Sequence, residues 1–188
     1  HDIEPLPNGN ILVLAWERKT ANEAFAIGRQ TIDNPLNEMW SEAILELELV
    51  GSNDANIVWE WHLWDHLIQD IDPELPNYGV VADHPELQDI NYGNVGSMSD
   101  PLGPNGDWKH LNSIDYNEDL DQIIISSRHH DEIYIIDHST TTEEAASSSG
   151  GNSGKGGNYL YRWGNPQTYG RGNELDHLLS VQHLSLIH

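Results

Sequence analysis

HLNSIDYNEDLDQIIISSR (110–128) reads as two alternating apolar runs around an acidic, Asn-containing turn, and so as a β-hairpin. It has a twin. HDIEPLPNGNILVLAWE (1–17) again sets a His first, then an acidic or polar residue, an apolar run, an Asn-containing turn and a second run. Its Asn8-Gly9 is a favoured type I′ pair. Each hairpin is followed by two further strand-like segments. AILELEL (43–49) and ANIVWEWHLW (55–64) follow the first; EIYIIDHS (132–139) and YLYRW (159–163) follow the second. The fourth members end alike, in NIVWEW (56–61) and NYLYRW (158–163), and a third unit opens near Gln182-His183.

A repeated unit of four antiparallel strands predicts an all-β chain. It predicts a partial β-propeller, with about two four-stranded antiparallel blades plus the start of a third. The expected divisions are a blade over 1–64, an irregular insertion over 65–109 and a blade over 110–163. The truncated start of a next blade follows over 164–188. Part of WDHLIQD (64–70) suits a helical turn, and the Ser/Gly half of the linker 140–158 is expected to be a mobile loop. The competing architecture is a small β-sandwich that happens to repeat.

The chain has 188 residues, with 8 Lys plus Arg against 31 Asp plus Glu and a formal charge of −23. Such a surface repels nucleic acid and anionic membranes, so neither is expected as a partner. There is no cysteine, which excludes disulfides and thiolate chemistry. No apolar run approaches the length of a membrane span. The chain opens on His1 and shows no signal peptide; the reading is a piece cut from a longer chain, which leaves an export signal ahead of it open.

In the hairpin 110–128 antiparallel pairing about a turn near Glu118-Asp119 sets His110 opposite Arg128. Alternation points Asn112 to the same side as His110. By the repeat, His1 with Asp2, and His183, occupy the equivalent place one blade before and one blade after. An arginine fork matches a tetrahedral oxyanion, and histidine can donate to it, act as an acid or attack as a nucleophile. Together these residues predict a cationic anion pocket on a strongly acidic molecule. Other histidines read as structural. His129 and His130 fall in a turn and are expected to be exposed, and His138 sits at a strand end. His62 and His66 are four apart but on a strand, against a metal site. Trp59, Trp61 and Trp163 recur at one repeat position and are expected to pack between blades.

These residues carry a resemblance. HDIEPLPNGNILVLAWE, IVWEWHLWDHLIQD, DWKHLNSIDYNEDLDQIIISSR, EIYIIDHSTT and LYRWGNPQTYGRG make the chain similar to the bacterial arylsulfotransferases. The type resembled is the arylsulfate sulfotransferase that is PAPS-independent, that is, does not use the nucleotide sulfate donor. The resemblance implies a six-bladed propeller that moves a sulfuryl group from a phenolic sulfate ester to a phenol. It implies no cofactor and no metal, a periplasmic or secreted location, and allows a homodimer of the full-length protein. By the same resemblance His110, Asn112 and Arg128 bind sulfate, His1 also faces it, and His183 is transiently sulfated. His183, His110 and Arg128 are then the catalytic set, with His1 and Asn112 binding substrate. The tail LSLIH (184–188) departs from the family's texture. About two blades supply only part of a pocket, so the 188 residues alone are expected to be inactive. Two rivals remain: a non-catalytic propeller that binds anionic or sulfated ligands, and a metal-assisted hydrolase.

Overall fold

A computed structural model describes residues 2–96 and 103–183; His1 and the tail 184–188 lie outside them. Two four-stranded antiparallel sheets make up most of it. In each, the strands lie side by side in chain order. The first holds β1 (Ile3–Pro5), β2 (Ile11–Thr20), β3 (Glu38–Val50) and β4 (Asp54–His62). α1 (Ala21–Ala26) follows β2, started by a capping box between Thr20 and Glu23. A pair of two-residue strands, β5 (Leu67–Ile68) and β6 (Gln88–Asp89), runs parallel within the irregular segment. The second sheet holds β7 (Leu111–Asn117), β8 (Gln122–Ser127), β9 (Glu132–Asp137) and β10 (Tyr161–Trp163).

The period-two pattern decides which face is buried. Across the first sheet Leu14, Ile44 and Trp61 pair in one row. Across the second, Ile114, Ile125, Tyr134 and Arg162 do so. Both rows are buried, and their apolar members share one core with Leu12, Trp59, Ile123 and Ile136. The opposite rows, Val13–Leu45–Glu60 and Ile124–Ile135–Tyr161, are half-buried or exposed. β1 and β2 lie against β7, so the opening hairpins of the two sheets are neighbours.

β7 is an edge strand, and carboxylates of the first sheet reach backbone N–H groups along it. Leu111 N–H donates to Glu42 Oε1 at 3.1 Å, and Ile114 N–H to Asp2 Oδ2 at 3.2 Å. On the same side of the molecule as the β8 turn, His138 spans the sheets between Asp121 (2.7 Å) and Glu46 (2.9 Å).

Several expectations change in detail. Among Asn8 and Gly9 only Gly9 has a positive φ, +90°, and its N–H closes a turn onto Leu6 O; a type I′ turn would need both residues there. Trp59 and Trp61 are core, but Trp163 is 42% exposed, because its side of β10 faces away from the first sheet. The linker expected to be mobile is tied down. α2 (Thr142–Ala145) starts it with a capping box; Trp61 Nε1 then donates to Gly157 O at 2.7 Å. A Cβ on Gly157 would fall 1.9 Å from Ala145 O, so only glycine allows that approach. The irregular insertion is likewise anchored. Arg29, from the first sheet's side, donates to Ile90 O and Gly93 O. Arg162, from the second, donates to Pro85 O and Leu87 O.

Candidate functional site: the open end of the second hairpin

The turn of the β7–β8 hairpin covers residues 118–121, and its open end carries His110 and Arg128. Arg128 N–H donates to His110 O at 3.1 Å, so the expected pairing of these two positions holds. One residue further in, the ladder shifts: Leu111 pairs with Ser127 but Ser113 with Ser126. Asn112 is the extra residue of a β-bulge, which re-aims its side chain. Its amide is turned inward and buried. Oδ1 accepts from Ser126 Oγ at 2.6 Å, and Nδ2 donates to Gln182 O at 2.8 Å. Nδ2 carries two hydrogens, so one partner does not exhaust it. Asn112 thus first serves to clamp the segment that bears His183.

That segment has further fastenings. Gln182 Nε2 donates to Ser127 O (2.8 Å) and Glu132 O (3.0 Å), at the adjoining ends of β8 and β9. Asp131 accepts from Val181 N–H and from His177 Nε2. As a result the His183 ring lies 6.2 Å, centroid to centroid, from that of His110. The His129 ring lies 5.1 Å from that of His110. Trp16 of β2 stands edge-on to His110 at 6.5 Å. Arg128 and His129 line a cavity of about 370 Å³ together with Asp107, Asp131, Trp108 and Val181.

Of the sequence-predicted residues, the structure therefore gathers His110, Asn112, Arg128 and His183 at one end of the second sheet. His1 lies outside the described residues; its neighbour Asp2 does meet β7. Sequence reasoning missed Asp107, His129 and Glu42. Asp107 is 6% exposed, and both its oxygens address His110. Oδ1 accepts the backbone N–H at 3.1 Å, and Oδ2 lies 2.5 Å from the ring Nδ1. His110 itself sits at φ +53°, in the left-handed region, which folds its ring back toward Asp107. A signal existed in the sequence: an Asp three residues ahead commonly accepts a main-chain N–H. His129, read as an exposed turn residue, is exposed yet belongs to the cluster. His130, read the same way, is wholly buried between Trp108 and Tyr92, and burial pushes its basicity far down.

Asp107, His110 and His129 each bring a ligand-type atom within 4.8 Å of the other two. Within the trio Asp107 Oδ2 and His110 Nδ1 meet at 2.5 Å as a hydrogen-bonded pair, with the His129 imidazole beside them.

Behind the site lies a buried polar layer. Lys109 Nζ donates to Gln88 Oε1 (2.6 Å) and Tyr134 OH (2.7 Å), and burial holds its amine well below the usual basicity. Arg162 makes a two-point pair with Glu132, at 2.9 and 2.6 Å. Glu42, 2% exposed, has its carboxyl pushed up to about 8, chiefly by burial.

No curated protein and no solved structure matches the chain. The arylsulfotransferase (ASST) family model does, over residues 1–144. That span includes both opening hairpins and ends beyond β9, taking in His110, Asn112 and Arg128 but stopping short of His183. The chain belongs to the arylsulfotransferase (ASST) family.

Proposed function

We propose that these residues are part of an aryl sulfate sulfotransferase built on a six-bladed β-propeller. It moves a sulfuryl group from a phenolic sulfate ester to a phenol through a sulfohistidine at His183. Two sheets of identical meander order, with their opening hairpins side by side, support the propeller reading. The observation that carries the site is the approach of the His129 and His183 rings to that of His110, with Arg128 paired to His110 across the hairpin and lining a cavity with His129.

Sulfuryl transfer, like phosphoryl transfer, spreads negative charge over equatorial oxygens, so positioned cations and N–H donors do most of the work. Arg128 offers a planar fork for two of those oxygens. His1 and the remaining amide hydrogen of Asn112 supply further donors, and His110 addresses the leaving aryl oxygen. His183, half-tethered through Gln182, has its ring at the cage and attacks sulfur in line. The reading uses no metal and no cofactor, and takes the protein to be exported, periplasmic or secreted.

A short incubation of the complete enzyme with radiolabelled phenyl sulfate tests this. Acid-labile label should appear on the protein and vanish in His183→Ala, and initial-rate lines for donor and acceptor should run parallel. Label that persists in His183→Ala, or lines that intersect, would refute it.

A further inference from the structure

We propose that Asp107 is the positioning residue of this site: it fixes the tautomer of His110, so that His110 Nε2 gives a proton to the leaving phenol oxygen and takes one from the acceptor. The proposal rests on the sulfuryl-transfer reading above. Its ground is the two-point contact of one buried carboxylate with one residue. A carboxylate only accepts, so the proton between Oδ2 and Nδ1 belongs to the imidazole. Nδ1 is therefore a donor in both charge states of the ring, and the reactive nitrogen is Nε2. The backbone contact at Oδ1 prevents the carboxylate from swinging away. The positive φ of His110 is a strained conformation for a non-glycine residue, and it is held where the dyad needs it.

The chemistry balances around that nitrogen. In the first half-reaction a His183 nitrogen bonds to sulfur as the bond from sulfur to the aryl oxygen breaks. The aryl oxygen leaves with the electron pair and takes the Nε2 proton of doubly protonated His110. In the second, the acceptor's oxygen bonds to sulfur, the sulfur–nitrogen bond breaks and its electron pair returns to His183. The acceptor's O–H proton passes to His110 Nε2. No proton is gained or lost over the cycle, and the Asp107 carboxylate offsets the imidazolium charge whenever it forms.

Asp107→Asn is the test. Its amide oxygen can keep the backbone N–H of His110, which turns the amide NH2 onto Nδ1. That nitrogen must then accept, and the neutral ring's proton moves to Nε2. Nitrogen–proton NMR correlation on the 188-residue chain should show neutral His110 protonated on Nδ1 in the wild type and on Nε2 in the variant. In the complete enzyme kcat should fall about 100-fold or more, with KM for the sulfate donor within about threefold, as expected for lost proton transfer. An Nε2–H tautomer in the wild type overturns the proposal even if the variant does not fold. So does an unchanged kcat, or a loss confined to KM. Absence of label on His183 would instead strike the transfer reading and leave the tautomer measurement standing.

Discussion

Glu42 should make this protein less stable as pH rises through the neutral range. The carboxyl lies in the middle of β3, 2% exposed, with Leu111 N–H as its donor and Asp107 nearby. Burial pushes it from its ordinary 4.5 to about 8. In the unfolded chain it loses its proton near 4.5, while the folded chain keeps it until about 8. Across that window the folded state binds the extra proton, so folding stability falls with rising pH and levels off above it. One pKa unit corresponds to about 1.4 kcal/mol, so the loss between pH 4.5 and 7 is about 3 kcal/mol. Glu42→Gln has the shape of the protonated acid and no charge to lose, and its amide oxygen can still accept from Leu111. Urea unfolding of both proteins, from about pH 5 to about pH 7, should show the variant gaining about 2.5 kcal/mol relative to the wild type. Because the comparison is a difference, the remaining acidic residues cancel to first order. A difference between the two that stays constant with pH would refute a buried, protonated Glu42.

Arg162→Met leaves Glu132 charged and unpaired inside the second sheet; a loss of about 3–5 kcal/mol in urea unfolding is expected. Gln182→Ala removes two hydrogen bonds, to Ser127 O and Glu132 O, that hold the segment before His183. Its melting temperature should stay within a few degrees of the wild type, while label on His183 falls about tenfold or more, since near-attack geometry is sensitive to small displacements. Exhaustive chelation should leave sulfuryl transfer by the complete enzyme unchanged; a loss restored by added zinc would favour the metal-assisted reading.

The strands were legible because alternation is a local signal: Leu12, Leu14, Ile44, Ile123 and Ile125 each sit on the buried face that period two assigns. The repeat located the opening hairpins, and hence His110 opposite Arg128. What alternation cannot foresee is a residue inserted into the ladder. Asn112 is such a bulge, and its amide turns to Ser126 and Gln182 as a result. Nor does sequence separation reveal that His129, one residue past Arg128, shares a cavity with it, while His130 is sealed under Trp108. The Ser/Gly linker misled for a different reason. Its glycines are there less for freedom than for contact, since Gly157 packs against Ala145 O and receives the Trp61 indole.

The buried acids explain how two sheets make one site. An apolar edge at β7 would pack at less cost than Glu42, Asn112, Ser126 and Ser127, all of them nearly inaccessible. Such departures from local preference are retained where they position something. Here Glu42 and Asp2 come from the first sheet, yet the N–H groups they receive belong to the strand that carries His110 into the second. Asp107 sits between the sheets in chain order, bridged to Trp40 of β3 while its side chain holds His110. The imidazole therefore reaches its final orientation only when the first sheet docks on the second. Disrupting the sheet–sheet contact at β2 and β7 should disorganise the histidine cluster before either hairpin loses its own ladder.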